Sequence, residues 1–414
     1  MDQPTASSAA SSIDSAAAAC SVGMSTLETL DAAVLEAVTI AQAGLNGRAS
    51  LAVVFVAGRH ANQRATFEGL SEVIAADTLI AGSVEGILAG GCEQERGRAV
   101  VVWLGRFPEA TLVPVALEYR HTPDGGSLVG WPADLQSRLP DNATLLLLAD
   151  PFSFPVDRLI ERLADDHPGL PIVGGMLSGA TEPGGNVLAL DSHTYDCGAV
   201  GVVIGGGVQV RPVVSQGCRP IGRTFVITKA EENILVELGG KPALEQLRSI
   251  YGDLSDNDRD LVRKSLHVGR VASEYQDRFQ RGDFLVRNVI GADPESGVIG
   301  VGDTLRVGQT VQFHVRDAAS ANEDLTTLLA AQPSTTAPVG SLVFTCNGRG
   351  SRLFEIADHD ATCLQERFAG LPAAGFFAQG EIGPIGQQNC LHGFTASIAL
   401  FEPADPRSRG EGSR

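Results

Sequence analysis

Aromatic residues make up only 5% of this 414-residue chain, and no lysine or arginine precedes Arg48. The shortage of aromatics removes the stacking platforms that hold unpaired bases and leaves Val, Leu, Ile and Ala to build the core. A net charge of −18 with no basic stripe argues further against a nucleic-acid partner, which needs cations to displace phosphate counterions. Without early basic residues neither a secretory nor a transit signal is expected. No apolar run reaches the ~18 residues of a membrane span. The longest, Gly198 to Val210, is broken by four glycines, so no membrane insertion is expected. The seven cysteines are scattered and never spaced C-x-x-C. That spacing supports neither a disulfide framework nor a zinc site and points to a reducing cytoplasm. P-loop, H-E-x-x-H and EF-hand patterns are absent.

What is present suits a globular protein. Hydrophobic residues are 43% and charged residues 19%, and the length predicts at least two domains at ~150 residues each. Residues 1–23 are mostly Ala and Ser and are expected to form a disordered tail, with Met24 a candidate start. Apolar residues at helical spacing then predict a helix from Leu27 to Leu45.

A strand-helix-strand pattern follows three times. Leu51 to Ala57, a helix over 65–76 and a run turning at Gly82–Gly86 make the first copy, closed by a strand at 99–104. Ala143 to Leu148, Val156 to Ala164, Pro171 to Gly179 and Gly198 to Ile204 make the second. The third runs from Ser341–Thr345 through 358–369 and Gly375–Pro384 to Phe394–Phe401. A glycine-rich turn follows each first strand by about thirty residues, the length of a strand-helix-strand unit. Such turns place glycine-rich loops at the carboxyl ends of strands, where open α/β sheets hold ligands. Residues 208–330 alternate instead as antiparallel strands with short helices, and Asp317 suits the N-cap of a helix ending near Ala331. The expected fold is mixed α/β: repeated strand-helix-strand units with an antiparallel insertion, in two domains.

Gly174-Gly175, Gly198-Ala-Val-Gly201, Ser215 to Gly222, Gly240-Lys-Pro-Ala243, Arg316-Asp317, Cys346-Asn-Gly-Arg-Gly350, Asp358-His-Asp360, Gly375-Phe-Phe-Ala…Gly380-Glu-Ile-Gly383 and Asn389 to Gly393 resemble the FIST family. The resemblance implies an N-terminal domain over 24–210 and a C-terminal domain over 211–402, with a polar tail at 403–414. It also implies an intracellular sensory protein of signal transduction that binds a small polar ligand, with amino acids proposed, and reports to an unknown signalling partner. No kinase, cyclase or F-box segment is evident in the chain.

The chemistry-bearing residues concentrate in the last copy. Arg349 could clamp a carboxylate in bidentate fashion, with Glu381 or Asp360 accepting an ammonium group, although a structural salt bridge is an equally good reading of the arginine. Asn347, Gln379 and Asn389 supply directional hydrogen bonds. Cys346, Asp358, His359 and His392 complete the expected ligand-binding set. Two other readings stay open: an enzyme with Cys346 as nucleophile and His359 or His392 as base, and a haem-based gas sensor using His193, His359 or His392.

Overall fold

The computed structural model describes residues 17–404 apart from 59–62, 124, 277 and 334–335. The fold is mixed α/β in two domains, a core of three repeated units and an antiparallel barrel. In the first unit the parallel strands Ala49–Ala57 and Ala76–Val84 are joined by the helix Gln63–Val73. The strand Ala99–Arg106 lies antiparallel beside the first of them, and Ala19–Ser25 forms the edge. The second unit repeats this order with Thr144–Ala149, Val156–Asp166, Ile172–Met176, Ala199–Gly206 and the outer strand Ala110–Thr122, whose far end pairs with Gly125–Val129 at the edge. The third uses Gly340–Cys346, His359–Arg367, Ala373–Ala378, Thr395–Pro403 and the edge strand Val208–Gln216.

Each unit also sends a hairpin away from its second parallel strand. The first unit's hairpin, Ile87–Ala89 and Cys92–Gln94, pairs with Ala373–Ala378 of the third. The second's, Leu188–Leu190 and His193–Tyr195, pairs with Ala76–Val84 of the first. The third's, Gly380–Ile385 and Gln388–His392, pairs with Ile172–Met176 of the second. The exchange closes a ring, so each sheet is completed by another unit. The shared core follows: Phe55 of the first unit meets Phe376 of the third at 4.8 Å, and Trp103 meets Phe401 at 4.9 Å.

Between Gln216 and Asp317 the chain leaves to build the barrel. Cys218–Glu231, Thr310–Arg316, Leu266–Val271, Phe284–Asp293, Val298–Val301 and Ile234–Leu238 pair in that order, and the first also pairs with the last. Alternation sorts the faces: Val311, Phe313 and Val315 fill the barrel, so Gln312, His314 and Arg316 lie on its outer face. Asp317 caps the helix Ala318–Ala330 as expected, its Oδ1 accepting from the Ala319 amide at 3.2 Å.

Several boundaries differ from expectation. Residues 19–25 form an edge strand that begins within the stretch 1–23 read as a disordered tail, because Cys20 and Ser21 are buried against the first unit's core; residues 1–16 lie outside the described residues. Val208–Gln216 pairs with Thr395–Pro403 rather than with the insertion, so a boundary at 210 would cut a core strand. Ala110–Thr122 and Leu266–Val271 were not anticipated. Residues 59–62 of the first loop and 405–414 of the expected tail also lie outside the described residues. No helix among the described residues is long and apolar enough to cross a membrane.

Gly375 shows how tightly the parallel pair is joined. A Cβ built there would sit 2.0 Å from the Val343 carbonyl oxygen, so Gly375→Ala must push two buried strands apart. Denaturant melts should show a loss of about 3 kcal/mol, whereas Gly370→Ala, at an open turn with positive φ, should cost about 1 kcal/mol.

Candidate functional site

The strand Gly340–Cys346 ends in a turn in which the Arg349 amide donates to the Cys346 carbonyl at 2.7 Å and the Asn347 amide to Ala378 at 2.8 Å. This turn folds Arg349 back beneath the sheet, where it is completely buried. Its Nε and Nη2 donate to Asp360 Oδ2 and Oδ1, both at 2.7 Å. Asp360 stands in the first turn of the helix His359–Arg367, where the helix dipole favours a carboxylate. Thr345 Oγ1 donates to Asp360 Oδ2 at 2.6 Å, and His359 Nδ1 lies 2.9 Å from Oδ1. The His359 ring stacks on Phe354 at 3.4 Å, with its Nε2 2.9 Å from Asn322 Oδ1. Burial opposes ionisation of Asp360, but the Arg349 charge and these hydrogen bonds outweigh it and hold the carboxyl far below the usual range.

The bidentate fork of Arg349 is therefore spent inside the protein, and Asp360 has no capacity left for an ammonium group. The exchanged hairpin adds a second tie. Glu93 of the first unit accepts from the Ala361 amide at 2.9 Å, while its own amide donates to Asp358 at 2.6 Å. Asp358 thus joins hairpin to helix. Asn389 likewise fastens the third unit's hairpin to the second unit, bonding the Ile172 amide and the Leu170 carbonyl at 2.8 Å each. Gln379 has an exposed side chain, and His392 Nε2 lies 3.0 Å from the Gly383 carbonyl oxygen.

What remains chemically open lies between the core and the barrel. Arg349 Nη1, Arg316 Nε and Nη2, Glu381 Oε1, Gln216 Oε1 and both ring nitrogens of His267 are buried without a hydrogen-bond partner. These groups are neighbours. Arg316 lies over the Phe394 ring at 5.8 Å, and the His267 ring packs on the same phenylalanine at 4.3 Å. A Cβ built at Gly348 would sit 3.1 Å from Arg316 Nη2, and one at Gly217 would sit 3.3 Å from Arg349 Nη1. Backbone of the Cys346–Gly350 turn and of the link into the barrel thus presses directly on both guanidiniums. Phe394 holds φ at +66°, a costly conformation for a bulky residue, and its carbonyl accepts from the Gly217 amide at 2.8 Å.

Charge in this seam is uneven. Arg316 makes no ion pair with any described residue, and burial lowers its pKa. Burial pushes Glu381 up to about 8 despite two hydrogen bonds from Thr395. Burial, then the nearby Glu381, pushes the Cys346 thiol up to about 12, and burial does the same to Cys218. His267 is pushed down to about 4 by burial and by Arg316. One unpaired cation thus faces several groups whose burial favours their neutral forms.

The seam gathers Cys346, Arg349 and Glu381 from the expected set, with His359 and Asp360 behind them. Arg316, Gln216, His267 and Cys218 were missed as site residues. Arg316-Asp317 stood out only as part of a family pattern, and nothing local marks an arginine whose importance is that no carboxylate meets it. A nucleophilic cysteine needs a lowered pKa and an adjacent base. Cys346 has the reverse shift, and His359 and His392 are occupied elsewhere. His193 sits exposed on its hairpin. One of the wider hollows is remote, bounded by Tyr119, Gly126, Arg158 and Arg162, whereas another lies between the barrel and the third unit's hairpin, lined by Ser273, Asp283, Ile385 and Gln388.

Removing one partner of a buried ion pair costs about 3–5 kcal/mol, so Asp360→Ala should destabilise by that amount near neutral pH. The folded pKa of Asp360 is depressed, so its contribution is present above the unfolded value of about 3.9 and fades as pH falls below it. Denaturant melts of both proteins over pH should show the gap narrowing below about pH 4.

The comparisons identify the family, with a boundary near residue 242 that falls within the barrel. The FIST N domain profile matches residues 50–241, and the FIST C domain profile matches residues 243–384. Relatives described only as uncharacterized proteins, one from Mycobacterium tuberculosis and one from Mycobacterium bovis, are each 42% identical over 384 residues. The match covers 92% of this chain and 98% of theirs. On both grounds the chain belongs to the FIST family, whose domains are sensory modules of signal transduction.

Proposed function

We propose that this sensory protein takes its ligand in the seam between the three-unit core and the barrel. The ligand is a small polar molecule with an anionic group, an amino acid foremost. One observation carries the reading: buried guanidinium N–H groups of Arg316, against Gly348, and of Arg349, against Gly217, have no acceptor, and Arg316 has no counter-charge among the described residues. Buried donors left unpaired cost about 1–3 kcal/mol each, more when charged, so an anion arriving between them recovers that loss. Gln216 Oε1 is an acceptor of fixed orientation, because its Nε2 is held by the Phe284 and Gly282 carbonyls at 2.8 and 3.2 Å. It suits an ammonium group. The expected carboxylate site is thereby moved from the fork of Arg349 to Arg316.

A ligand held by core and barrel together biases how the two sit, and a signalling partner would read that difference. A thermal-melt panel of the amino acids and simple carboxylates tests the reading. A true ligand at a hundredfold excess over its Kd stabilises by about 2.7 kcal/mol. Arg316→Met should abolish that gain, while its unliganded stability stays level or rises by about 1 kcal/mol, because an unpaired buried charge is gone. No stabilisation of the natural protein, or an equal gain in Arg316→Met, overturns the proposal.

A further inference from the structure

Glu381 is fully buried near the start of the third unit's exchanged hairpin. Its two oxygens differ. Oε2 accepts from the Thr395 amide at 3.0 Å and from Thr395 Oγ1 at 2.8 Å, whereas Oε1 meets no partner at hydrogen-bond distance; the Cys346 thiol beside the carboxyl favours its charged form, and burial outweighs it. In a carboxylic acid the carbonyl oxygen is the better acceptor and the hydroxyl oxygen carries the donor. Two donors on Oε2 therefore place the proton of the neutral acid on Oε1. Arg316 Nε–H and Nη2–H, Arg349 Nη1–H and Glu381 Oε1–H are then buried donors grouped around Cys346, none of them bonded to an acceptor.

We propose that Glu381 acts as a neutral carboxylic acid that donates a hydrogen bond to the anionic group of the ligand, and so selects anions for the seam. This rests on reading the seam as an anion site, and it reverses the expectation that Glu381 accepts an ammonium group. A neutral buried acid is an effective donor to an anion because it adds no negative charge where one must be bound.

The groups facing Glu381 can be named. Cys346 and Arg349 come from the neighbouring strand and its turn, and His392 lies opposite across the hairpin. Arg316 and Cys218 stand on the barrel side of Cys346. Burial drives the thiols of Cys346 and Cys218 up to about 12 and His392 down to about 4. Of these groups, Glu381 is the one that titrates near 8. An anion stabilises its protonated form, so binding holds below that value and weakens about tenfold per pH unit above it.

The test uses acetate as the probe on the full chain, read as thermal stabilisation, with Arg316→Met as the blank. Glu381→Gln keeps an acceptor for Thr395 and a donor for the anion but cannot ionise. Acetate should stabilise both the natural protein and Glu381→Gln near pH 6.5. At about pH 9.5 the affinity of the natural protein should have fallen at least tenfold, while that of Glu381→Gln holds. An infrared carboxylic-acid band present near neutral pH and missing in Glu381→Gln should accompany this. Acetate affinity that rises with pH, or that declines equally in both proteins, overturns the donor role while leaving the anion site standing. An absent acid band does the same. If acetate stabilises neither protein near pH 6.5, the anion site and the donor role fall together.

Discussion

A sheet cannot leave a long apolar edge exposed without inviting aggregation, and in this protein each unit solves the problem with another unit's hairpin. The ring of three exchanges explains why the core is continuous across both halves of the chain. It also explains why pieces far apart in sequence meet. Glu93 caps a helix that begins 266 residues later, and Asn389 holds the strand Ile172–Met176. The barrel is inserted between the third unit's edge strand and its capping helix, so both its ends are anchored to that unit.

That anchoring creates the seam. Gln216 and Gly217 lead into the barrel and Arg316 and Asp317 lead out, at the place where the third unit's first strand ends in Cys346. The Arg349–Asp360 pair stiffens this floor at high internal cost, because both charges are buried and each depends on the other. Above it lie the groups whose needs the protein itself does not meet. A core assembled for stability alone would pair or replace them. Their concentration at the junction of core and barrel is the observation on which the proposed ligand site rests.

Much of the architecture was legible in the chain. The threefold recurrence of strand, helix and glycine-rich run was readable because each unit buries its parallel strands on both faces, giving continuous apolar runs such as Leu51–Ala57 and Ala143–Leu148. The exchange was not readable, since hairpins as short as Ile87–Ala89 carry no mark of which edge they join. The edge strand Ala19–Ser25 was hidden by small residues that pack against the helix Leu30–Ala43, where a Cβ on Gly23 would sit 2.0 Å from the Ala37 carbonyl oxygen. At the candidate site, local chemistry singled out Cys346, Arg349 and Glu381 but assigned the arginine's fork to a ligand, because Asp360 is eleven residues away in sequence yet 2.7 Å away in space. Arg316 stayed invisible as a site residue because its significance is a missing partner.

The most direct measurement is the anomalous difference map of a crystal soaked in bromide, a heavy anion that reports where the protein accepts negative charge. The account predicts a buried bromide within about 3.5 Å of Arg316 Nη2 and Glu381 Oε1, the reach of a charge-assisted contact. Bromide found only at exposed guanidiniums such as Arg158 and Arg162, with the seam unoccupied, would contradict it.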